Sequence, residues 1–191
     1  MLNFSTSKPF LLTELNAFAE PRNQYYPMTE SYTLGSKAIN DVSTDSNTHV
    51  WKGYIKDNWF IIRRLDLEEE HQIIETGSVE QLDFTFDQAM RPVLVWVKDG
   101  KSYMYRYENT EFRTVKLPDK VKCPRVELDD KLIANSPTSD IILGYCYEGK
   151  LCYAQQRDRY ETEYVIARDQ DKHLLWKIGF TQDGRFGFQW R

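Results

Sequence analysis

Residues 93–105 read Val-Leu-Val-Trp-Val-Lys-Asp-Gly-Lys-Ser-Tyr-Met-Tyr, two apolar runs on either side of the dipeptide Asp99-Gly100. Asp-Gly suits the two central positions of a type I′ turn, because both of these residues need a positive φ. Two apolar runs joined by such a dipeptide are typical of two antiparallel strands with a two-residue turn. The stretch is therefore predicted to be a tight β-hairpin.

The predicted hairpin carries apolar side chains on both faces. A two-residue turn places Trp96 opposite Tyr103 and Leu94 opposite Tyr105 on one face. The other face holds Val93, Val95, Val97 and Met104. Strands that are buried on both faces belong inside a stack of sheets. Small four-stranded sheets stacked face to face are the packing of a β-propeller, and a β-sandwich is the alternative.

The same hairpin pattern occurs four times along the chain. In each copy an apolar strand leads into an acidic residue followed by Gly or Asn, and then into an aromatic-rich strand. The other three copies lie at 53–62, 141–153 and 175–188, with turns predicted at Asp57-Asn58, Glu148-Gly149 and Asp183-Gly184. Repetition of this kind is typical of repeat architectures.

Further strand-like runs flank the hairpins and complete the repeated unit. They precede the second and third hairpins at 82–86 and 125–128, and follow the first three at 69–75, 111–117 and 161–167. One unit is thus a four-stranded antiparallel meander. Its outer strands alternate apolar with charged residues, which predicts that they are half-exposed. The predicted fold is all-β, with repeated four-stranded units in a propeller-like arrangement.

Residues 1–48 differ in character from the predicted β-repeat domain at 49–191. They contain three prolines and a polar stretch at 40–48, without a strong strand pattern. We interpret them as an extended N-terminal arm, and the alternative is a flexible tail. The segment has more apolar anchors than a solvated tail needs, which favours an arm lying on its own chain or on a neighbour. These anchors are Phe4, Phe10, Leu12, Phe18, Tyr25, Tyr26 and Tyr32.

The fourth repeat ends without an outer strand. Residues 186–191 form the second strand of the last predicted hairpin, and nothing follows them in the sequence. An open apolar sheet edge is an aggregation liability unless something covers it. Either the N-terminal segment supplies the missing strand or a second subunit does. We favour completion by assembly with neighbouring molecules.

Composition excludes several classes of protein. The net charge of −4 offers no basic field for nucleic acid. No apolar run approaches the roughly 18 residues that a membrane span needs. The N-terminus lacks the charged start and apolar stretch of a signal peptide. The chain has three cysteines, Cys123, Cys146 and Cys152. Because this number is odd and small, it favours reduced structural thiols and synthesis in the cytoplasm.

No pattern in the sequence predicts catalysis, a cofactor or a metal site. The three histidines stand far apart in sequence, and neither phosphate-loop nor nucleophile-turn motifs occur. Carboxylate pairs are present at Asp83 and Asp87 and at Asp129-Asp130. We interpret both pairs as turn residues at strand ends, because Asp is favoured in turns. The chain is therefore predicted not to be an enzyme.

The charged run at 155–161 follows the third hairpin directly. It is either a solvated connection or a polar contact surface, and Arg and Tyr are favoured at interfaces. Together with the apolar residues near the two chain ends, it gives the candidate interface set. The set comprises Phe4, Phe10, Phe18, Tyr25, Tyr26, Arg157, Arg159, Tyr160 and Trp190.

The segment Ser139-Asp-Ile-Ile-Leu-Gly-Tyr-Cys-Tyr-Glu-Gly-Lys-Leu-Cys-Tyr-Ala-Gln-Gln-Arg-Asp-Arg-Tyr-Glu161, with Arg91-Pro-Val-Leu-Val-Trp96 before it, resembles repeat-bearing virion proteins of tailed bacteriophages. The resemblance covers about residues 82–191 and rests on the pattern of the hairpins. It implies a structural subunit of the tail or head-to-tail region, made in the host cytoplasm and located in the virion. It also implies other virion proteins as partners and a homo-oligomeric ring.

Two other functions compete with assembly. A lectin-like module would use aromatic residues near hairpin ends to stack on sugar rings, with Trp51, Trp59 and Tyr107 as the candidates. A hydrolase on a propeller scaffold is the third hypothesis. A monomer that binds a glycan would favour the lectin, whereas oligomerisation that is lost on deleting residues 1–48 would favour assembly.

Overall fold

The structure is a computed structural model that describes residues 4–5, 29–40, 49–129, 139–168, 175–180 and 186–190. Within these ranges the chain forms fifteen β-strands and one single-turn 3₁₀ helix at Gln156–Asp158, without an α-helix. The strands contain the apolar and aromatic runs that the sequence analysis identified. The predicted all-β class is therefore confirmed.

The strands are organised in four sheets, of which three have four antiparallel strands paired in chain order. The first sheet comprises β2 (Glu30–Gly35), β3 (His49–Lys56), β4 (Trp59–Arg64) and β5 (His71–Glu75). The second comprises β6 (Gln81–Phe86), β7 (Pro92–Lys98), β8 (Lys101–Glu108) and β9 (Glu111–Lys116). The third comprises β10 (Lys122–Leu128), β11 (Ile141–Tyr147), β12 (Lys150–Gln155) and β13 (Tyr164–Ala167). The fourth sheet contains β1 (Phe4–Ser5), β14 (Leu175–Phe180) and β15 (Phe186–Trp190).

Three of the predicted hairpin turns have the expected backbone. Both central residues have positive φ in each turn, at 51° and 69° for Asp57-Asn58, 51° and 66° for Asp99-Gly100, and 44° and 68° for Glu148-Gly149. The pairs predicted across the second hairpin are also present, with Trp96 opposite Tyr103 and Leu94 opposite Tyr105. The fourth predicted turn, Asp183-Gly184, lies outside the described residues.

Replacing Gly100 with valine is expected to destabilise the protein by about 1–2 kcal/mol, because a β-branched residue is forced to a left-handed φ. The φ of Gly100 is +66°, and an added Cβ would meet no atom within 4 Å. The cost therefore comes from the backbone alone. Equilibrium unfolding in urea measures it, with Gly100→Asn as the control because Asn tolerates this conformation. Equal stability of the two variants would contradict the turn.

Apolar side chains from neighbouring sheets pack together in three clusters. Between the first and second sheets, the cluster is built around Trp51, Phe60, Phe84, Leu94 and Trp96. Between the second and third sheets, its main members are Val93, Val95, Met104, Val126 and Leu143. Between the third and fourth sheets, the buried members are Ile142, Leu151, Tyr153, Ile178 and Phe188. The second hairpin thus contributes one face to each of two clusters, as its two apolar faces predicted.

The outermost and first strands of the sheets differ in burial. All six residues of β9 are exposed, and β13 is exposed over its first half, as expected for outer strands. By contrast, β6 and most of β10 are buried, including the charged residues Asp83, Arg125 and Glu127. The prediction that these two strands are half-exposed was wrong. They lie inside the molecule because β6 contacts both β2 and β10, and β10 contacts β14.

The N-terminal region contributes two strands to these sheets. Residues 30–35, within the predicted arm, form β2 and pair with β3 along its whole length. Phe4 and Ser5 pair in parallel with Phe186 and Gly187 of β15. The N-terminal segment therefore supplies a strand next to β15, which is the alternative that the sequence analysis did not favour. Between these strands, residues 6–28 lie outside the described part of the chain.

Candidate functional site

Polar side chains from the first strands of the first three sheets and from β14 of the fourth sheet meet in one place, which we call the central polar cluster. Each strand contributes residues at alternate positions, because successive side chains of a strand point to opposite sides. The members are Ser31 and Thr33 of β2, Asp83 and Thr85 of β6, Arg125 and Glu127 of β10, and Lys177 of β14. All are buried, with exposed fractions from 0 % for Thr85 to 7 % for Lys177.

One half of the central polar cluster is an ion pair between the fourth and second sheets. The Nζ of Lys177 donates a hydrogen bond to Oδ1 of Asp83 and a second one, of 3.0 Å, to Oγ of Ser31. The hydroxyl of Ser31 in turn donates to the same carboxylate oxygen. The other carboxylate oxygen of Asp83 accepts the backbone N–H of Val126 at 3.1 Å. Three other sheets thus contribute donors to this carboxylate.

The other half of the cluster joins two hydroxyls to a carboxylate. The hydroxyl of Thr85 donates to Oε1 of Glu127 at 2.5 Å, and the same oxygen is 3.5 Å from the hydroxyl of Thr33. The backbone N–H of Leu128 donates to it as well, at 3.0 Å. These contacts connect the first strands of the first, second and third sheets.

Arg125 is the second cation of the cluster. Its Nη1 donates to the side chain of Gln81 at 3.2 Å and to the carbonyl of Pro124 at 2.7 Å. Burial lowers the pKa of the Arg125 guanidinium, and the nearby charge of Asp83 opposes that shift. The cluster thus contains two cations and two carboxylates, in keeping with the rule that buried charges are paired.

Nζ of Lys177 and Oγ of Ser31 lie within hydrogen-bond distance, as a catalytic base and its nucleophile would. The direction of their hydrogen bonds, however, is not that of a catalytic pair. In a Ser-Lys catalytic pair, the lysine would accept the hydroxyl proton. Here that proton points to Asp83, and the lysine donates to the serine oxygen. Both residues are also buried between the sheets. The arrangement therefore ties the sheets together.

Two aspartates directly after first strands organise the connections that follow. Oδ1 of Asp87 accepts the backbone N–H groups of Ala89 and Arg91 at 2.9 and 3.0 Å, and Oδ2 pairs with the Arg91 side chain at 2.7 Å. Asp129 accepts the backbone N–H of Asp140 at 2.6 Å. The turn role predicted for Asp87 and Asp129 agrees with these contacts, whereas Asp130 lies outside the described residues. The same prediction was wrong for Asp83, which lies within β6 in the ion pair.

The described members of the candidate interface set lie close to the third sheet. Arg157 pairs with Asp140 at 2.7 Å and with Asp129 at 3.0 Å, although its side chain is 55 % exposed. Arg159 and Tyr160 have φ of 58° and 62°. The Tyr160 ring lies 4.8 Å below the Arg106 guanidinium, and burial raises the pKa of its hydroxyl.

The rest of the candidate interface set is not described at the level of side chains. Phe4 and Trp190 have a described backbone only, in β1 and β15. The other members fall outside the described residues. These are Phe10, Phe18, Tyr25 and Tyr26.

The aromatic residues proposed for sugar stacking do not come together. Trp51 is only 1 % exposed, and its Nε1 donates to the carbonyl of Ser36. Trp59 follows the first hairpin turn, whereas Tyr107 lies at the opposite end of its sheet. Tyr107 is also covered by the Arg91 guanidinium, 4.0 Å from its ring centre. The structure therefore does not form a shared stacking surface from these three residues.

Cys152 is predicted to resist alkylation in the folded protein, whereas Cys123 and Cys146 are partly exposed. None of the three cysteines forms a disulfide bond in the described part of the chain, and Cys152 is fully buried. Burial raises the pKa of Cys152 from 9.0 to about 11. Its protonated form therefore stabilises the fold below pH 9, and this contribution is lost as the pH rises towards 11. Iodoacetamide labelling followed by peptide mass spectrometry tests this, and equal labelling of all three cysteines would contradict it.

Comparisons with known proteins identify no relative of this chain. No protein-family model, curated protein or solved structure matches it. Among the residues that the structure describes, no helix is long and apolar enough to cross a membrane. The same residues contain no group of three or more His, Cys, Asp or Glu side chains placed to hold a metal ion.

Proposed function

We propose that this chain is a four-bladed β-propeller that acts as a rigid, non-enzymatic subunit of a protein assembly. Following the resemblance of 82–191 to virion proteins, the assembly is the tail or head-to-tail region of a tailed bacteriophage. In this setting the chain is present in several copies, as a homo-oligomeric ring, and contacts other virion proteins. The four sheets are its blades, and β2, β6, β10 and β14 surround the central polar cluster.

The order in which the sheets pack supports the propeller. A sandwich has two layers, whereas here three successive apolar clusters separate the first, second, third and fourth sheets. Lys177 of the fourth sheet donates to Ser31 of the first, which brings the ends of the series together. The pairing of β1 with β15 adds a strand from the start of the chain to the last sheet.

The observation that carries the assembly role is the exposure of apolar side chains on the outermost strands. Phe112 and Val115 of β9 are 40 % and 37 % exposed, and Tyr164 and Val165 of β13 are 37 % and 40 % exposed. An outermost strand can accept a strand from a partner. The charged residues of β9 limit unspecific pairing of such an edge. These features favour a defined protein partner at the outer strands.

The proposal is tested by asking whether the chain is part of the particle. Mass spectrometry of phage virions purified from the system that encodes it is expected to find the chain at a fixed copy number. That copy number is expected to survive a high-salt wash. Absence of the chain from intact virions would contradict the virion assignment.

The role of the outermost strand is tested by substitution in the same system. Phe112→Asp with Val115→Asp is expected to reduce incorporation into particles at least about tenfold, because buried interface side chains carry most of the binding energy. Arg113→Lys is the matched control on the same strand. The melting temperature of the double variant should stay close to that of the control. Unchanged incorporation would count against a contact at β9.

A further inference from the structure

Two of the three cysteines lie next to each other on paired strands of the third sheet. Cys123 is the second residue of β10, and Cys146 lies on β11, directly opposite Lys122. From the spacing of paired strands and the rise along a strand, the Cα atoms of the two cysteines are roughly 6 Å apart. This separation is within the range that a disulfide bond spans.

A β-bulge places Cys123 on the same face of the sheet as Cys146. In a regular strand, successive side chains point to opposite faces, so Cys123 would point away from the face of Lys122 and Cys146. The register of β10 and β11 shifts between Lys122 and Arg125, and Cys123 has a φ of 49°. Both cysteines pack against the same apolar cluster, between the third and fourth sheets. The bulge thus re-aims Cys123 towards its neighbour.

The sequence specifies this bulge and the fold holds it in place. Pro124 has no backbone N–H to donate to a neighbouring strand, and proline within a sheet is therefore found at bulges. Nη1 of Arg125 donates to the carbonyl of Pro124 at 2.7 Å, which fixes the bulge from the central polar cluster. A left-handed φ at a residue other than glycine costs free energy, and such residues gather at functional positions. Cys123 is therefore a candidate for a role beyond packing.

The environment of Cys123 and Cys146 differs from that of Cys152. Both are partly exposed, whereas Cys152 is buried on the other face of the sheet, between the second and third sheets. Burial lowers the pKa of the Arg125 guanidinium, and the charges of Asp83, Cys123 and Cys146 oppose that shift. The two cysteines thus lie together near one buried cation, where a small reagent can reach them.

We propose that Cys123 and Cys146 are a redox-active dithiol, which a low-molecular-weight disulfide such as oxidised glutathione converts into an intramolecular disulfide bond. The thiolate of one cysteine attacks the S–S bond of the reagent, which forms a mixed disulfide and releases one glutathione thiolate. The thiolate of the other cysteine then attacks the protein sulfur of the mixed disulfide and displaces the second glutathione. The protein loses two electrons and two protons, and two glutathione thiols carry them away.

The new bond locks β10 to β11 at the point where the bulge interrupts their pairing. It closes the chain between positions 123 and 146 into a loop, and a cross-link of this kind restricts the unfolded chain more than the folded one. The oxidised protein is therefore expected to be more stable than the reduced protein. The inference does not depend on the proposed function, since it is measured on the purified chain.

The test incubates the purified full chain with oxidised glutathione, alkylates the remaining thiols in urea and maps the bonds by non-reducing peptide mass spectrometry. The wild-type chain is expected to contain the Cys123–Cys146 bond, with Cys152 alkylated. Cys152→Ser is the matched control and should form the same bond. In Cys123→Ser and in Cys146→Ser, the remaining cysteine of the pair is expected to keep one glutathione, because no second thiol displaces it.

Urea unfolding of the oxidised and reduced chains measures the consequence for stability. The midpoint of the oxidised wild-type chain is expected to rise by about 1 M, from the typical effect of a disulfide bond and the typical urea dependence of unfolding. Dithiothreitol should return it to the value of the reduced chain. In Cys146→Ser, oxidised glutathione should not raise the midpoint. If circular dichroism shows that this variant is unfolded, Cys146→Ala replaces it.

Four results would overturn the inference. A wild-type chain whose three thiols all survive the incubation would do so, as would one that keeps a glutathione on both Cys123 and Cys146. A bond that involves Cys152, or that joins two chains, would contradict the predicted pair. An oxidised chain that unfolds at the same urea concentration as the reduced chain would show that the bond does not lock the strands.

Discussion

Replacing Lys177 with methionine is expected to destabilise the fold by about 3–5 kcal/mol, the typical cost of leaving a buried charge without its partner. Asp83 is 1 % exposed, and Lys177 provides the only cationic hydrogen bond described for its carboxylate. The substitution keeps the length of the side chain but removes the charge and the donors. Equilibrium unfolding in urea gives the free-energy difference.

Two control variants distinguish the effect of burying the charge on stability from the effect of the charge itself. Lys116 pairs with Asp119 at 2.8 Å on the surface, so Lys116→Met is expected to leave the stability nearly unchanged. Adding Asp83→Leu to Lys177→Met removes the unpaired carboxylate as well. That double variant is expected to recover part of the stability, because an apolar pair can replace a buried ion pair. If Lys177→Met cost no more than Lys116→Met, the ion pair would not hold the sheets together.

The hairpins could be predicted because the residues that specify each of them lie close together in the sequence. Asp99-Gly100 specifies a turn with two positive φ values, and the strands on either side are apolar at consecutive positions. A strand that is apolar on both faces requires a sheet on each side, whichever residues those sheets contain. Turn type, cross-strand pairs and stacking therefore followed from a short stretch of sequence.

The central polar cluster could not be predicted in this way. Asp83 and Lys177 are separated by 94 positions, and each is the single charged residue of its strand. In one strand considered alone, a charge at an alternate position indicates a face in contact with water. Only the packing of β2, β6, β10 and β14 against one another shows that these positions point to each other. A buried charge can be identified only once its ion-pair partner is known, and here that partner lies on another sheet.

The strand at 30–35 was missed for a related reason. The segment Glu-Ser-Tyr-Thr-Leu-Gly has few apolar residues, and its buried residues are Ser31, Thr33 and Gly35. Hydrophobic patterning therefore finds no core face in it. Its place is set by pairing with β3 along its full length and by the hydroxyls that it adds to the central polar cluster.

Replacing Gly53 with valine is expected to destabilise the protein by roughly 3 kcal/mol or more, the upper range for overpacking a core. Gly53 lies in β3 and faces the second sheet. A Cβ added there would stand 2.6 Å from Cδ1 of Phe84 and 2.8 Å from Cε2 of Phe60. Both phenylalanines are 0 % exposed, and their rings pack edge to face with centres 5.5 Å apart. Neither ring can move without disturbing the other.

The sign of the stability change in Gly53→Val distinguishes the packing in this structure from intrinsic strand propensity. Valine is favoured over glycine in strands, so propensity alone predicts that Gly53→Val stabilises the protein. The packing of the first sheet on the second predicts the opposite sign. Urea unfolding of Gly53→Val, with and without Phe84→Leu, measures the coupling between the two positions. Trimming the ring should recover part of the loss, because it makes room for the new side chain. A stabilising Gly53→Val would mean that the two sheets do not meet at this glycine.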